Sequence, residues 1–584
     1  MADALSHGKS RCFWQEVRKC SGGKQVTPHS VDGVCGNENL VELWAGKFKN
    51  LFTSPNPNSS HMLSQALASL EVPAEDLASL SFSAATASAA LNKLKHGKAE
   101  GGSMTFDHLI FAPQYFAEVL APVFTCLLRH AYIPPAFRDA VIIPIPKGGN
   151  TDLSQSSNYR GIALASCFSK LLEYCILEDY GSCLLSSHLQ FGFKPGLSTS
   201  MCTGVLKAVI SRYLVGGSRV YGCLVDASKA FDSVDHILLL EKLLRRGLPI
   251  CVVRFLLSWY QSQRLRVSWN GVHSDAFPVS RGVRQGGVIS PILFALYIDD
   301  LLFELEQSGV GCFWDDLFVG ALAYADDLTL LAPSPAALRR LLHICEQFGA
   351  ANILRFNPEK TQCITFSRTS CTEGSCSFVF CGKSIFCAKS VVHLGHVLTC
   401  NLMDNADILR CSRDFCKQAN GILFRFGFCD PIVQTRLLLN YCMSLYGCAL
   451  WSLNCNEIKH LDVCFNKCLR RIWSLPANSH TGIVHCVSGC VSVYNVCFQR
   501  FCKLYQSACS SNNFLVRTVF RSASLSCRNF VGHNFMFGKS FVRDYSGIPL
   551  DTVNLVRELR DNSLFVPGFL TSDLNVFVHN VTTS

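Results

Sequence analysis

"VGALAYADDLTLLAPS", Val319–Ser334, sets two adjacent aspartates, Asp326 and Asp327, between short apolar runs bounded by glycine and proline. The stretch has no helix cap and no polar face. Two strands joined at Asp326-Asp327 are its natural reading, because aspartate is favoured at tight turns. Strict strand alternation relaxes at a turn, so both carboxylates can approach one side. Two look-alikes lie just upstream. "YIDDL", Tyr297–Leu301, belongs to "RQGGVISPILFALYIDDLLFELEQSG", in which Ser290 suits a helix N-cap and Pro291 the first helical position. Leu293, Leu296, Tyr297, Leu301 and Leu305 keep a helical period until Gly309. Asp299 and Asp300 are therefore expected as solvated acids late in a helix, diverging by ~100°. "WDDL", Trp314–Leu317, is expected to be a loop leading into the first strand.

A two-metal site for phosphoryl transfer, with ions ~3.5–4 Å apart, needs acids from separate segments. The best distant donor is Asp226 in "LVDASKAFDSVDH", Leu224–His236, where the run of β-formers "VYGCLVDAS" ends in an acid. Asp226 and Asp326 would then occupy neighbouring strands of one sheet.

Farther out, 584 residues suggest roughly four folded units of ~150 residues each. A hydrophobic content of 49% leaves ample material for cores. The net charge is +10, and Phe465 to Arg543 carries ten Lys/Arg with no Asp or Glu. Such a segment fits a surface that meets a polyanion, or an ordinary basic patch. The N-terminus lacks the apolar core of a secretory signal, so an intracellular chain, nuclear or cytoplasmic, is expected. Its 32 cysteines then read as reduced thiols. "LLLNYCMSLYGCALW", Leu437–Trp451, is too short for a membrane span and is expected as a buried helix. His485, Cys486, Cys490, Cys497 and Cys502 are spaced too irregularly for a zinc finger.

Residues 1–60 are mixed and turn-rich, with "TSPNPNSS" reading as a linker. Ser64 to Tyr132 has helical spacing, "AVIIPIPK" (Ala140–Lys147) reads as β, and Asn270-Gly271 signals a hairpin. An amphipathic helix follows Pro335, β-type alternation runs from Thr361 to Val397, and the pattern beyond Asp404 is helical and basic. The sum is an α+β core followed by a helical basic region.

In order along the chain, "AVIIPIPKGG…NYRGIAL", "QFGFKPGLSTS", "LVDASKAFDSVDH", "RGVRQGGVISPILFALYIDDL", "AYADDLTLLA", "FNPEKTQ" and "HLGHVL" resemble the blocks of non-LTR retrotransposon (LINE-type) reverse transcriptases. The later "YCMSLYGCALW…CLRRIWSLP…SHTG" resembles the family's thumb. The resemblance runs from about Leu91 to Gly482. It implies a right-hand polymerase with fingers (91–215), a palm with an antiparallel sheet (216–400) and a helical basic thumb (401–500). An extension or linker (1–90) and a tail of unknown structure (501–584) flank them.

The resemblance also implies roles. Asp226, Asp326 and Asp327 match the catalytic carboxylates, and the Ala227 carbonyl matches a further metal ligand, for Mg²⁺ with Mn²⁺ as substitute. The implied reaction is attack of a primer 3′-OH on the α-phosphate of a dNTP, copying an RNA template onto a DNA primer, with no membrane and no obligate protein partner. Phe231 matches the steric gate against a 2′-OH. Lys147 and Arg160 match finger cations on the triphosphate, as the charge of Lys and the fork of Arg suit. Gln285 and Gly286 match positions packed against the templating base and nucleotide, and Lys360 one that assists pyrophosphate departure. Lys467, Arg470 and Arg471 would grip the template–primer backbone.

Some positions depart from the family. Gly161 and Ala163 stand where Pro and Ser are usual, Gly287 and Val288 where Cys-Pro is common, and Ser103 where an Asp is typical. These departures raise a second reading, a catalytically decayed nucleic-acid-binding remnant. No endonuclease pattern accompanies the polymerase blocks, so a truncated element is expected.

Overall fold

The computed structural model describes residues 28–535 except 55–57, parts of 71–79 and of 100–103, 149–150, 369–375 and 525–528, and adds Phe13, Trp14, Glu16 and Val17. A six-stranded sheet forms its centre. Strand order is Ala321–Tyr324, Asp327–Ala332, Val220–Val225, Gln362–Phe366, Lys383–Ala388 and Ser377–Phe380. The central strand is β-branched and apolar because both its faces are covered: Val220, Cys223 and Val225 are fully buried. Its partners run antiparallel, with Leu328 opposite Val225 on one side and Gln362 opposite Leu224 on the other. The sheet is antiparallel, as expected, apart from one pairing, Cys363–Ile364 beside Cys387–Ala388, which is parallel. Helices Thr199–Val215, Ser290–Gln307 and Pro335–Ala351 pack against this sheet. Ser334 caps the last of them by accepting from the Ala337 N–H at 3.2 Å.

A second sheet is built from Tyr159–Leu164, Asp139–Pro146 and Arg264–Trp269. The hairpin expected at Asn270-Gly271 is present, with φ of +50° and +85° and Trp269 opposite Val272. Within residues 30–52, expected as extension, the strands Ser30–Val31 and Val34–Cys35 pair with each other and the following helix packs on this sheet. Helix Asn37–Phe52 places Leu40, Val41, Trp44 and Phe48 at helical spacing and buries all four. The Trp44 ring sits 4.9 Å from Tyr159 and 5.7 Å from Trp269. Full burial of such side chains stabilises by roughly 1.5–3 kcal/mol each.

A third core joins helices Asn405–Phe426 and Asn456–Ile472 and also takes in Phe13 and Val17. The stretch 437–451 is buried in part but is not one helix. Helix Pro431–Leu437 passes into a π turn at Leu438–Cys442, and Gly447 at φ +89° begins a 3-10 turn, Cys448–Leu450. Leu445 at φ +36° and Gly447 leave the right-handed helical region, and a Cβ on Gly447 would lie 2.7 Å from His396 Nδ1, so that position takes glycine. Helices Val493–Cys509 and Phe514–Ser524 return to helix Thr199–Val215, where Gly204 admits the Phe520 ring. Among the described residues no single helix is long and apolar enough to cross a bilayer.

Candidate active site

The two carboxylate segments meet at the ends of adjacent strands. Tyr324 pairs with Asp327, which leaves Ala325-Asp326 as a two-residue turn with φ +59° at Ala325. The turn is thus one residue upstream of the expected Asp326-Asp327, and Asp327 heads the second strand. Because Leu328 lies opposite Val225, the next step of the ladder brings Asp327 beside Asp226. Asp226 is fixed from its other side by 355–361. Its N–H donates to Thr361 Oγ1 at 3.3 Å and its carbonyl accepts from the Asn357 N–H at 2.8 Å. Ala227 forms an isolated bridge with Phe356, which brings Lys360 of the same loop to the rim.

The electrostatics are those of uncompensated anions. Burial first, then the charge of Asp226, pushes the Asp326 carboxyl up. Asp327 reaches the surface at its edge, yet burial first and then Asp326 and Asp226 push it up to about 6. Neither has a protein cation among the causes of its shift. Facing them are exposed cations from three segments. The ammonium of Lys147 is pulled down by partial burial and then by Lys360, Lys229 and Arg160, while Asp226 opposes the shift. Lys147 also donates to the Ser157 carbonyl at 2.8 Å. Anions beside a separate cation cluster suit metal ions plus a polyphosphate. Among the described residues no three His, Cys, Asp or Glu form a ready-made metal cage. An open set still fits Mg²⁺, which is usually held by one or two carboxylates, with water and substrate phosphates completing the shell.

Phe231 stacks on Phe294 at 4.4 Å and meets Phe193 edge-on at 6.0 Å. Gln285 donates from Nε2 to Asp232 Oδ1 at 2.8 Å, so its amide oxygen is turned away from Asp232. Asp232 is buried, and burial pushes its carboxyl up to about 6. Gly286, at φ +121°, lies so close to the second sheet that a Cβ would stand 2.5 Å from the Ala163 carbonyl. The Ala163 N–H in turn donates to the Gln285 carbonyl at 2.7 Å.

The look-alike pairs have structural partners. Asp299 is buried, not solvated: it accepts from the Ser187 N–H at 2.7 Å and pairs with Arg246 at 2.5 Å. Asp300 pairs with Lys242 at 2.5 Å. Neighbouring basic residues of helix His236–Arg245 and its cap, distant in sequence, explain the difference. Asp315 and Asp316 form the turn of a small hairpin, Phe313–Trp314 with Leu317–Phe318, and Arg212 bonds Asp315 at 2.6 Å. Ser290 is the first residue of its helix and does not cap it. The buried Glu173 carboxylate accepts instead from the N–H groups of Val288 and Ile289, the latter at 2.9 Å, and pairs with buried Arg284 at 2.9 Å.

Of the three basic residues expected on nucleic acid, Lys467 and Arg471 share an exposed helix face. Arg470 is turned away, donating to the Ser479 carbonyl at 3.1 and 2.9 Å. Ser103 lies outside the described residues. The sequence reading also missed Gln190. It is fully buried and brackets the aspartate turn, accepting from the Ala325 N–H at 2.9 Å and donating to the Ala325 carbonyl at 3.2 Å. A polar residue heading the apolar "QFGF" was its only signal.

Residues 145–398 match the family model described as reverse transcriptase (RNA-dependent DNA polymerase). The chain is 27% identical over 461 residues to the RNA-directed DNA polymerase from mobile element jockey of Drosophila melanogaster, covering 75% of this chain and 49% of that protein. It is 28% identical over 243 residues to the Pol polyprotein of the type-1 retrotransposable element R2 of Nasonia vitripennis, covering 42% and 23%. The chain thus spans half or less of the length of these relatives. Apo telomerase from Candida tropicalis aligns with a TM-score of 0.37 at 12% identity, over 76% of this chain and 69% of that one, too low a score to carry an argument.

Proposed function

We propose that residues 145–398, which match the reverse transcriptase model and resemble the jockey and R2 proteins, form a reverse transcriptase domain of the non-LTR retrotransposon class, and that the chain is an RNA-directed DNA polymerase that adds dNTPs to a primer 3′-OH using magnesium. The observation that carries the reading is the meeting of Asp226 with the Asp326-Asp327 turn, where both turn carboxyls are pushed up by burial and like charge, beside the cations Lys147, Arg160, Lys229 and Lys360. Magnesium, when bound, supplies charge that activates the primer hydroxyl and stabilises the leaving pyrophosphate. The chain's own residues do the rest. Asp226, Asp326, Asp327 and the Ala227 carbonyl would hold the ions at the ends of hydrogen-bonded strands, and the four cations would orient the triphosphate. The Phe231 ring lies under the sugar, and Gln285 with Gly286 lines the nucleotide pocket. In this reading the second sheet and helix Asn37–Phe52 belong to the fingers, the six-stranded sheet to the palm, and the 405–472 helices to the thumb.

The test is primer extension by the purified chain on poly(rA)/oligo(dT) with Mg²⁺, with Asp326→Ala as control. dTTP incorporation well above the control is expected. Incorporation no greater than the control's overturns the reading.

A further inference from the structure

Phe193 adopts a conformation that a large side chain rarely tolerates. Its φ is +61°, in the left-handed region where a non-glycine residue is an outlier, and its side chain is 48% exposed. Such strain persists only where the surroundings over-determine it, and here they do. On its N-terminal side, Phe191 donates to the Ala323 carbonyl at 2.7 Å and Gly192 to Gln190 Oε1 at 2.8 Å. Gly192 is pressed onto the aspartate turn, so that a Cβ there would lie 2.3 Å from the Ala325 nitrogen. On its C-terminal side, Lys194 anchors its ammonium to the carbonyls of Ser186 and Ser187 at 2.7 and 2.6 Å. The segment is therefore fixed to the carboxylate turn and holds a half-exposed aromatic ring against Phe231.

That ring meets Phe231. The two centroids are 6.0 Å apart with planes at 89°, a favourable edge-to-face contact, while Phe231 stacks on Phe294 at 23°. Phe231 is thus held by two aromatic neighbours, one within its own core and one projected from the Gln190–Lys194 segment. A ring that discriminates one hydroxyl group must not swing aside.

We infer that Phe193 is a positioning residue for sugar selection, bracing Phe231 in the plane that excludes a 2′-OH. The inference rests on the reading of Phe231 as the sugar gate. The segment that fixes the metal-binding turn also fixes this brace, so ion geometry and sugar choice are set by one piece of backbone.

The test is the ratio of kcat/KM for dTTP over UTP in Mg²⁺-dependent primer extension by the full chain. An edge-to-face pair is worth roughly two- to tenfold. Phe193→Ala should therefore lower the ratio about three- to tenfold, chiefly by improving UTP use, and Phe193→Tyr should keep it. Phe193→Gly relieves the backbone strain, so it should lower the ratio without lowering the thermal midpoint. Phe231→Ala should lower the ratio further, and adding Phe193→Ala to it should change nothing more. An unchanged ratio in Phe193→Ala and Phe193→Gly overturns the inference, as does an equal loss of dTTP and UTP use. If Phe231→Ala alone leaves the ratio unchanged, the gate reading fails instead. No extension by the unsubstituted chain overturns both.

Discussion

Glu173 and Asp327 show how differently one fold treats two carboxylates. Glu173 is buried with a guanidinium and two backbone N–H groups around it. Glu173→Gln leaves the buried Arg284 charge without its partner and should cost about 3–5 kcal/mol, read as a lower urea midpoint. Asp327 keeps an exposed edge, yet partial burial and then the charges of Asp326 and Asp226 push its carboxyl up to about 6 against 3.8 in an unfolded chain. The folded state therefore keeps a proton that the unfolded state releases, and stability falls as pH rises from about 4 to about 6. Asp327→Asn should raise the thermal midpoint by about 1–3 °C at pH 7.5 in EDTA, and the gain should vanish below pH 4. Adding Mg²⁺ should stabilise the parent chain and not the variant. A variant less stable than the parent at pH 7.5 in EDTA would reject this account. In the sequence the two acids look alike, because the partner of each lies roughly a hundred positions away.

At the scale of elements, period was legible and contact was not. The Ser290–Gln307 and Pro335–Ala351 helices, the Asn270-Gly271 hairpin and the strands around Asp326 follow from local spacing and turn chemistry. The solvated state assigned to Asp299 failed because Arg246 and Ser187 reach it from other segments. A single helix through 437–451 failed where Leu445 and Gly447 take positive φ, the latter packed against His396. Gly161 has a contact reason: a Cβ there would stand 2.6 Å from the Phe48 ring of the N-terminal helix. Gly161→Ala should therefore cost about 1–3 kcal/mol in urea unfolding. Phe48→Leu in the same chain should make the two losses clearly less than additive. Strict additivity would mean that the ring yields freely.

Across the whole molecule, the acid-free basic segment divides by use. Arg470, Arg500, Arg517 and Arg521 spend their guanidinium groups on main-chain carbonyls. Lys467 and Arg471 stay exposed on one helix face. Lys467→Gln with Arg471→Gln should weaken template–primer binding alike for all sequences and lower the salt slope by about two. Arg500→Ala should instead lower the urea midpoint, since it ties Met443, Ser444 and Leu445 to the helix behind them. Equal effects of the two changes on binding would erase the distinction. The sequence by itself determined the ordered polymerase blocks, the strand–turn–strand at Asp326 and the choice of Asp226 as its distant partner, because residue order, turn chemistry and hydrophobic period are local properties. Which charges are neutralised, which arginines are structural, that the N-terminal helix packs on the second sheet, and that Phe193 meets Phe231 could be read from the folded chain alone, because each depends on contacts between segments brought together only on folding.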